Sequence, residues 1–138
     1  MGCDIHPHVA RRTGEGKLVP FMYSSLDLGR DYVMFGLLAG VRGEEKLFEP
    51  RGLPDDVPST YKFDYDRMEG DAHSASWLTT EEVRAVAEAY PAAVERRGGE
   101  RRQNPFLAAL VGLMGAVDQW SEEYDPGGSA VFVFWFDN

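Results

Sequence analysis

Six consecutive apolar residues near the C-terminal end constrain this fold more than any other feature of the sequence. They read Val131-Phe132-Val133-Phe134-Trp135-Phe136. Successive side chains of a β-strand point to opposite faces of a sheet, so this segment is apolar on both faces. That pattern is typical of a central, covered strand. We therefore expect the segment to lie between two other strands.

The N-terminal segment has the alternation of a second strand. Apolar and polar side chains fall on opposite faces, with Cys3, Ile5, Pro7 and Val9 against Asp4, His6 and His8. Because Pro7 cannot donate to a ladder of backbone hydrogen bonds, we expect an edge strand or a bulged one. A turn at Thr13-Gly14-Glu15-Gly16 and an apolar run over residues 18–23 predict a hairpin with a returning strand.

Helical spacing and end signals predict two helices before residue 100. The first covers about residues 28–39 and ends at Gly40, where a C-terminal cap belongs. The second begins with a capping box at Thr79 and Glu82. It should kink or break at Pro91, because proline removes a helical hydrogen bond.

A third helix is predicted to begin at Asn104-Pro105, an N-cap followed by proline at the first position. Its predicted buried face consists of Phe106, Leu110, Leu113, Met114, Val117 and Trp120. Residues 41–78 show no sustained periodicity, so we expect a long loop, which is usually functional. The order β-β-α-loop-α-α-β predicts an α+β fold, a small, mostly antiparallel sheet with helices packed on it.

Length and composition limit the classes of protein that this chain can belong to. Its 138 residues match one domain, and 43% hydrophobic content is enough for one core, so we expect a single domain over residues 1–138. A formal net charge of −9 argues against binding long DNA or RNA, which requires cations along many phosphates. A small anion needs only a few converging cations.

The sequence also predicts a cytoplasmic protein without a membrane partner. No apolar run approaches the roughly 20 residues that cross a bilayer. The N-terminus lacks the pattern of a secretory signal, and one cysteine suits a reducing compartment. A domain of this kind is compatible with a homo-oligomer.

Asp4, His6 and His8 share one face of the first predicted strand and are the sharpest local pattern. Alternate residues of a strand lie about 7 Å apart, so their side chains can converge on one ion. Carboxylate and imidazole groups suit Zn, Mn or Fe, and Asp71 and His73 could join if their loop folds over the strand. The alternative is that the histidines face solvent or bond within the sheet. We predict no cofactor, with a divalent metal as the alternative.

Two further residues could act beside His6. Cys3 could be a nucleophile with His6 as its base, although a lone cysteine near a strand start is more often a small buried hydrophobe. Asp137 follows the apolar C-terminal run. If that strand lies beside the first, Asp137 would join the His6 site.

Arginines around the first helix and the long loop predict an anion site. Arg30 lies near a predicted helix N-terminus, where backbone N–H groups attract anions, and Arg42 and Arg51 follow. Arginines can clamp phosphate, and the ring of Trp77 could stack on a base. The alternative is that the arginines pair with nearby carboxylates, namely Asp31, Glu44, Glu45, Asp55 and Asp56.

Five ordered motifs resemble a family of small bacteriophage and prophage proteins. They are Gly2-Cys3-Asp4-Ile5-His6, Arg30-Asp31-Tyr32 through Leu38-Ala39-Gly40-Val41-Arg42, Pro50-Arg51-Gly52-Leu53-Pro54, Asp71-Ala72-His73-Ser74-Ala75-Ser76-Trp77-Leu78 and Val133-Phe134-Trp135-Phe136-Asp137-Asn138. Here Ala75 stands where the family has a second histidine, and the family does not usually have His8. A metal site that needs His8 would therefore be particular to this protein.

The resemblance implies a phage setting, in the host cytoplasm during infection, where small accessory proteins commonly counter host defence. Bacterial antiviral systems signal with cyclic and ADP-ribose-derived nucleotides, so our leading hypothesis is sequestration of such a small anionic nucleotide. The predicted ligand-binding residues are Asp4, His6, Arg30, Tyr32, Arg42, Arg51, Asp71, His73, Ser74, Ser76 and Trp77. One alternative is a hydrolase with His6 and His73 as acid and base or as metal ligands. Another is a protein–protein inhibitor that uses the acidic surface.

Overall fold

A computed structural model describes residues 2–21, 26–43 and 45–138. Within them an antiparallel sheet has the strand order β2-β1-β4-β3. The strands are β1 (Asp4–Arg12), β2 (Leu18–Pro20), β3 (His73–Thr79) and β4 (Ser129–Asp137). The helices are α1 (Tyr32–Ala39), α2 (Ser59–Asp66), α3 (Thr80–Arg96) and α4 (Pro105–Tyr124). The predicted α+β class is confirmed.

Strand β4 is central, as its apolar sequence predicted, and pairs with β1 on one side and β3 on the other. Phe132, Phe134 and Phe136 pack into the core that the sheet shares with α1, α3 and α4. Val133 and Trp135 point to the opposite face, where they pack with residues in and around α2. Both faces of β4 are therefore covered, which explains why every side chain from Ala130 to Phe136 is buried.

Strand β1 has the predicted alternation, and half of it is an edge. Strand β2 pairs only with residues 10–12 of β1. Residues 4–8 lack a second partner strand within the described part of the chain, which accommodates Pro7. Leu18 and its neighbours form the predicted returning strand, while residues 22 and 23 of that prediction lie outside the described residues.

Local capping signals set the ends of α1 and α3. Asp31 caps α1 by accepting from the backbone N–H groups of Val33 and Met34, so this helix begins later than predicted. Thr79 and Glu82 form the predicted capping box of α3. The predicted break at Pro91 is wrong, because α3 continues to Arg96. Its buried side chains on both sides of Pro91 pack against the sheet, and that burial outweighs the cost of about 3 kcal/mol for an internal proline.

Helix α4 begins at the predicted Asn104 cap, but its predicted buried face is partly wrong. Phe106 is 46% exposed and Trp120 is 48% exposed. The buried side chains are Leu107, Leu110, Met114, Val117 and Ser121. The apolar arc of α4 is wider than the surface that covers it, so helical spacing alone could not show which part is buried. No helix within the described residues is long and apolar enough to cross a membrane.

The predicted long loop over residues 41–78 is also wrong, because it contains α2 and most of β3. Helix α2 is mostly polar and buries only Tyr61 among its own residues. The alternation of β3 is interrupted by a register shift between His73 and Ser76, where Ser74 adopts a left-handed backbone conformation with φ 54°. A bulge shifts the period of two, which hides a strand from pattern analysis.

Candidate functional site

His6 and Asp137 are hydrogen-bonded to each other at the paired ends of β1 and β4. The Nε2 atom of His6 lies 2.8 Å from the Asp137 carboxylate, and the two side chains are 31% and 30% exposed. The register places His6 opposite Trp135, and Asp4 opposite Asp137. The expectation that Asp137 would join His6 is therefore confirmed. A carboxylate acceptor favours the tautomer that carries its proton on Nε2, which leaves Nδ1 as a base or ligand contact.

A polar cleft of about 270 Å³ lies between β1 and the end of α2. We call it the histidine cleft. Its lining includes His6, His8, Asp64, Arg67, Met68 and Trp135. The His6 ring stacks on Trp135 with 5.9 Å between centroids, and Trp135 Nε1 donates to Met68 Sδ at 3.2 Å. Arg67 approaches Asp64 at 3.4 Å but is 68% exposed. The cleft thus combines imidazole, guanidinium and carboxylate groups, and the buried Trp135 supports the histidine rings from beneath.

His8 lies deeper in this cleft than His6. Its ring stacks on Trp135 with 4.6 Å between centroids and contacts Tyr61 at 4.3 Å. Burial lowers the pKa of His8, so the imidazole is neutral at pH 7. Its Nδ1 atom is buried and has no hydrogen-bond partner among the described residues. His8 therefore provides a neutral ring and an unsatisfied polar atom.

Asp4 and Arg30 extend this polar region along the end of the sheet. Arg30 Nε donates to Asp4 Oδ1 at 2.9 Å, and both side chains are at least half exposed. The guanidinium lies against Gly2, where an added Cβ would come within 2.6 Å of Arg30 Cζ. A side chain at position 2 would therefore make the flexible end of Arg30 move. The α1 N-terminus is not an anion site, because the Asp31 carboxylate accepts from its N–H groups.

Cys3 is buried beside this region rather than exposed for chemistry. Its side chain belongs to the core, and burial raises the pKa of the thiol. The Tyr32 hydroxyl accepts from the Cys3 backbone N–H at 3.3 Å, and the Arg42 guanidinium lies over the Tyr32 ring at 5.6 Å. The structure thus places Tyr32 and Arg42 near the N-terminus of β1, and neither residue lines the histidine cleft.

Trp77 lies elsewhere, on the outer strand β3, and Arg51 packs against this strand from the segment before α2. Arg51 Nη1 donates to Glu82 at 2.7 Å and to the Trp77 carbonyl at 3.0 Å, and its Nη2 also donates to Glu82. Its guanidinium stacks over the Trp77 ring at 4.6 Å, and its backbone N–H donates to Ser76 Oγ. Arg51 therefore joins β3 to the start of α3. Its partner is Glu82, not one of the five carboxylates that the sequence suggested.

His6 and His73, which the sequence analysis assigned to one site, face different sides of the sheet. His6 pairs with Trp135, whereas His73 pairs with Phe136, the next residue of β4. Consecutive strand residues point to opposite faces, and β1 and β3 are about 10 Å apart across β4. His73 approaches Ser74 at 3.0 Å and Asn138 at 3.3 Å. Asp71 is exposed just before β3.

The metal alternative has no geometric support. Within the described residues, no group of three or more His, Cys, Asp or Glu side chains is arranged to hold a metal ion. Asp4, His6 and His8 share a face as predicted, but Asp4 bonds to Arg30 and the His8 ring packs on Trp135. Of these three, only His6 bonds to another possible ligand, Asp137.

Sequence reasoning missed the residues that the end of α2 and the turn after it contribute to the histidine cleft. Asp64, Arg67 and Met68 lie in a segment that was expected to be loop. A signal was present, because Tyr61, Tyr65 and Met68 recur at intervals of four and three residues. Trp135 was assigned to the core, which is true of its burial but omits its contact with both histidines.

A scan against protein-family models, a search of curated proteins and a search of solved structures each found no match for this chain. The phage-family resemblance therefore rests on its five sequence motifs. Functional inference has to start from the histidine cleft and the groups beside it.

Proposed function

We propose that this protein binds and sequesters a small anionic nucleotide in the histidine cleft. The observation that carries the proposal is the composition of this cleft, in which the partly exposed His6 and the exposed Arg67 lie in one lining above the buried Trp135. Guanidinium groups donate charge-assisted hydrogen bonds to phosphate, and an imidazole N–H can donate another. Arg67 suits this role because it is 68% exposed and its ion pair with Asp64 at 3.4 Å is long.

The size of the cleft narrows the ligand class. About 270 Å³ is just below the range of roughly 300–1,000 Å³ that is typical of small-molecule pockets. This volume favours one nucleotide unit over a cyclic trinucleotide held entirely inside. In the phage setting implied by the resemblance, sequestration in the host cytoplasm would withdraw an immune signal from its receptor. That setting rests on analogy and not on the site.

Calorimetry against single nucleotides, cyclic mono-, di- and trinucleotides and cyclic ADP-ribose isomers tests the proposal. We expect binding by at least one member, and no binding across the panel would refute it. His6→Ala and Arg67→Ala should each weaken binding about tenfold or more, the loss expected for a charged hydrogen bond. Lys62→Ala is the matched control, because Lys62 is an exposed cation of α2 outside the cleft lining. Arg51→Ala should also leave affinity unchanged.

The His6–Asp137 pair favours a second candidate, hydrolysis of the same ligand class. A carboxylate that orients a histidine through one ring nitrogen prepares the other nitrogen for proton transfer. Recovery of intact nucleotide after denaturation of the complex would support sequestration, and recovery of cleaved product would support hydrolysis. Asp137→Asn should then lower the cleavage rate more than it lowers binding.

A further inference from the structure

One face of the sheet is covered by a single helix and the residues around it. Residues 53–71, which contain α2 and which we call the α2 segment, lie over Val133 and Trp135. Both of these side chains are fully buried. Among the described residues, α1, α3 and α4 contribute nothing to the core cluster on this face, because they pack on the other side of the sheet. The α2 segment therefore separates this face from solvent.

The α2 segment crosses the sheet along β1. Hydrogen bonds join its two ends and its middle to the strands below, namely Arg12 to Asp56, Tyr61 to the Val9 carbonyl at 3.1 Å and Trp135 to Met68 at 3.2 Å. Because Trp135 lies opposite His6, the segment runs from the end of β1 towards its start. Ala10 is fully buried on the same face, between Arg12 and His8, and so lies beneath the segment.

Few buried groups hold the α2 segment in place. Tyr61 is the one buried residue of α2, no side chain caps the first turn of this helix, and the neighbouring apolar side chains of the segment are only partly buried. The ion pair of Arg12 and Asp56 is exposed, and exposed pairs contribute little to stability. A segment of this kind opens locally at a lower free energy than the rest of the fold.

His8 makes the closed arrangement less favourable. Its ring contacts Tyr61 of the α2 segment with 4.3 Å between centroids, and its Nδ1 atom is buried without a partner among the described residues. A buried polar atom without a hydrogen bond costs free energy, and water can supply that bond when the segment lifts. The cost is present only while the segment is closed, so it favours opening.

Glycines lie at both ends of the α2 segment and provide hinges. Gly52 has φ 79° and Gly70 has φ 95°, a left-handed conformation that favours glycine. A Cβ atom at either position would meet nothing within 4 Å, so neither residue is packed against the fold. The Gly52 N–H donates to the Ala75 carbonyl at 2.8 Å, which anchors the first hinge to β3. Rotation at these residues can lift the segment without disturbing the sheet.

We propose that the α2 segment is a lid that lifts from the sheet as a unit and uncovers His8 and Trp135. In the closed form the histidine cleft has a volume of about 270 Å³, just below the range of small-molecule pockets. Lifting enlarges the cleft and exposes the Trp135 ring, on which a base can then stack. The entry of a nucleotide rests on the proposed function, whereas the opening itself does not.

Thiol labelling measures the opening in the absence of any nucleotide. In a Cys3→Ala background, Ala10→Cys and Val133→Cys each place a thiol beneath the α2 segment, and Ala130→Cys places one in the core on the other face. We expect the first two to react with an aromatic disulfide about 30-fold faster than the third or more, because local opening costs less free energy than global unfolding. Circular dichroism checks that each variant is folded. Equal rates for all three would overturn the proposal, and a fast Ala10→Cys beside a slow Val133→Cys would contradict movement as a unit.

Two tyrosine variants separate lid opening from unfolding of the whole chain. Tyr61→Phe removes the hydroxyl that donates to the Val9 carbonyl and should raise the labelling rate of Ala10→Cys about fivefold, the factor expected for one ordinary hydrogen bond. Tyr90→Phe removes a hydrogen bond on the other face of the sheet that persists while the segment is lifted, so the rate of Ala10→Cys should not change. An unchanged rate in Tyr61→Phe, or a faster rate in Tyr90→Phe, would refute local opening.

His8→Phe tests the contribution of the unsatisfied nitrogen. The closed form no longer carries its cost, so the labelling of Ala10→Cys should slow about fivefold. Unchanged or faster labelling would contradict the role assigned to His8. Calorimetry measures nucleotide binding separately, so a segment that does not open and a nucleotide that does not bind give different results.

Discussion

The Arg51–Glu82 pair makes a stability prediction that depends on pH. The Arg51 guanidinium lowers the pKa of Glu82 from its ordinary 4.5 to about 2, and the N–H of Thr79 contributes through the capping box. Glu82→Gln removes the charge but keeps an oxygen that can accept from Thr79, because glutamine also completes a capping box. The substitution therefore isolates the ion pair from the cap.

The pKa of Glu82 sets an upper limit for the effect. A fall from 4.5 to about 2 corresponds to about 3.5 kcal/mol, at about 1.4 kcal/mol for each pH unit. The side chains of Arg51 and Glu82 are 30% and 20% exposed, so solvent screens part of the attraction. Part of the change also comes from Thr79 and survives in the variant. We expect Glu82→Gln to lower the free energy of unfolding by about 1–2 kcal/mol at pH 7.

The sign of the pH dependence follows from the depressed pKa. The folded protein holds the Glu82 proton less tightly than the unfolded chain, so the stabilisation is complete above pH 4.5 and is lost as the pH falls towards 2. The difference between the natural chain and Glu82→Gln should therefore shrink by about half at pH 3.

Urea titration followed by circular dichroism at pH 7 and pH 3 measures this difference. Glu88→Gln serves as the control, because Glu88 is an exposed residue of the same helix. It should change stability by less than about 0.5 kcal/mol. Equal stability of Glu82→Gln and the natural chain at pH 7, or an equal difference at both pH values, would refute the reasoning.

Two further substitutions test buried polar groups by the same urea titrations. His8→Phe should stabilise the fold by about 1 kcal/mol at pH 7, because it removes the unsatisfied Nδ1 atom and keeps an aromatic ring. The gain should grow as the pH falls below 6.5, where the unfolded chain protonates His8 and the folded chain resists; a constant gain would contradict this. Tyr90→Phe should cost about 1.5–3 kcal/mol by removing the donor to the Asp31 carboxylate that caps α1. Tyr124→Phe, 65% exposed, should change little, and equal effects of the two tyrosine variants would be inconsistent with a buried charged hydrogen bond.

Much of the fold could be predicted because its signals are local. The Asn104 cap, the capping box at Thr79 and the left-handed Gly40 depend on residues within a few positions of each other. The two-sided apolar run of β4 predicted its central place in the sheet. The prediction failed where packing overrode a local rule, as at Pro91, and where a bulge shifted the alternation of β3.

The candidate site was predictable only in part. Arg30 bonds to Asp4, and Tyr32 and Arg42 lie by Cys3 at the start of β1, but these contacts do not include His6. His73 lies on a different strand and faces the other side of the sheet, because a single register position decides the face. Arg51 could not be assigned from the sequence either. A guanidinium that can bind phosphate can also bind a carboxylate, and in the structure Arg51 binds Glu82.

The sequence by itself determined which face of β1 is polar and which strand is central, because periods of two and of three to four residues report burial directly. The tertiary structure decided what those surfaces meet. It brought Asp137 to His6 across 131 positions of the chain and placed the end of α2 beside the histidines. It also left Phe106 and Trp120 of α4 about half exposed. A residue pattern records that a surface is apolar or charged, but the partner of that surface depends on register and packing between distant segments.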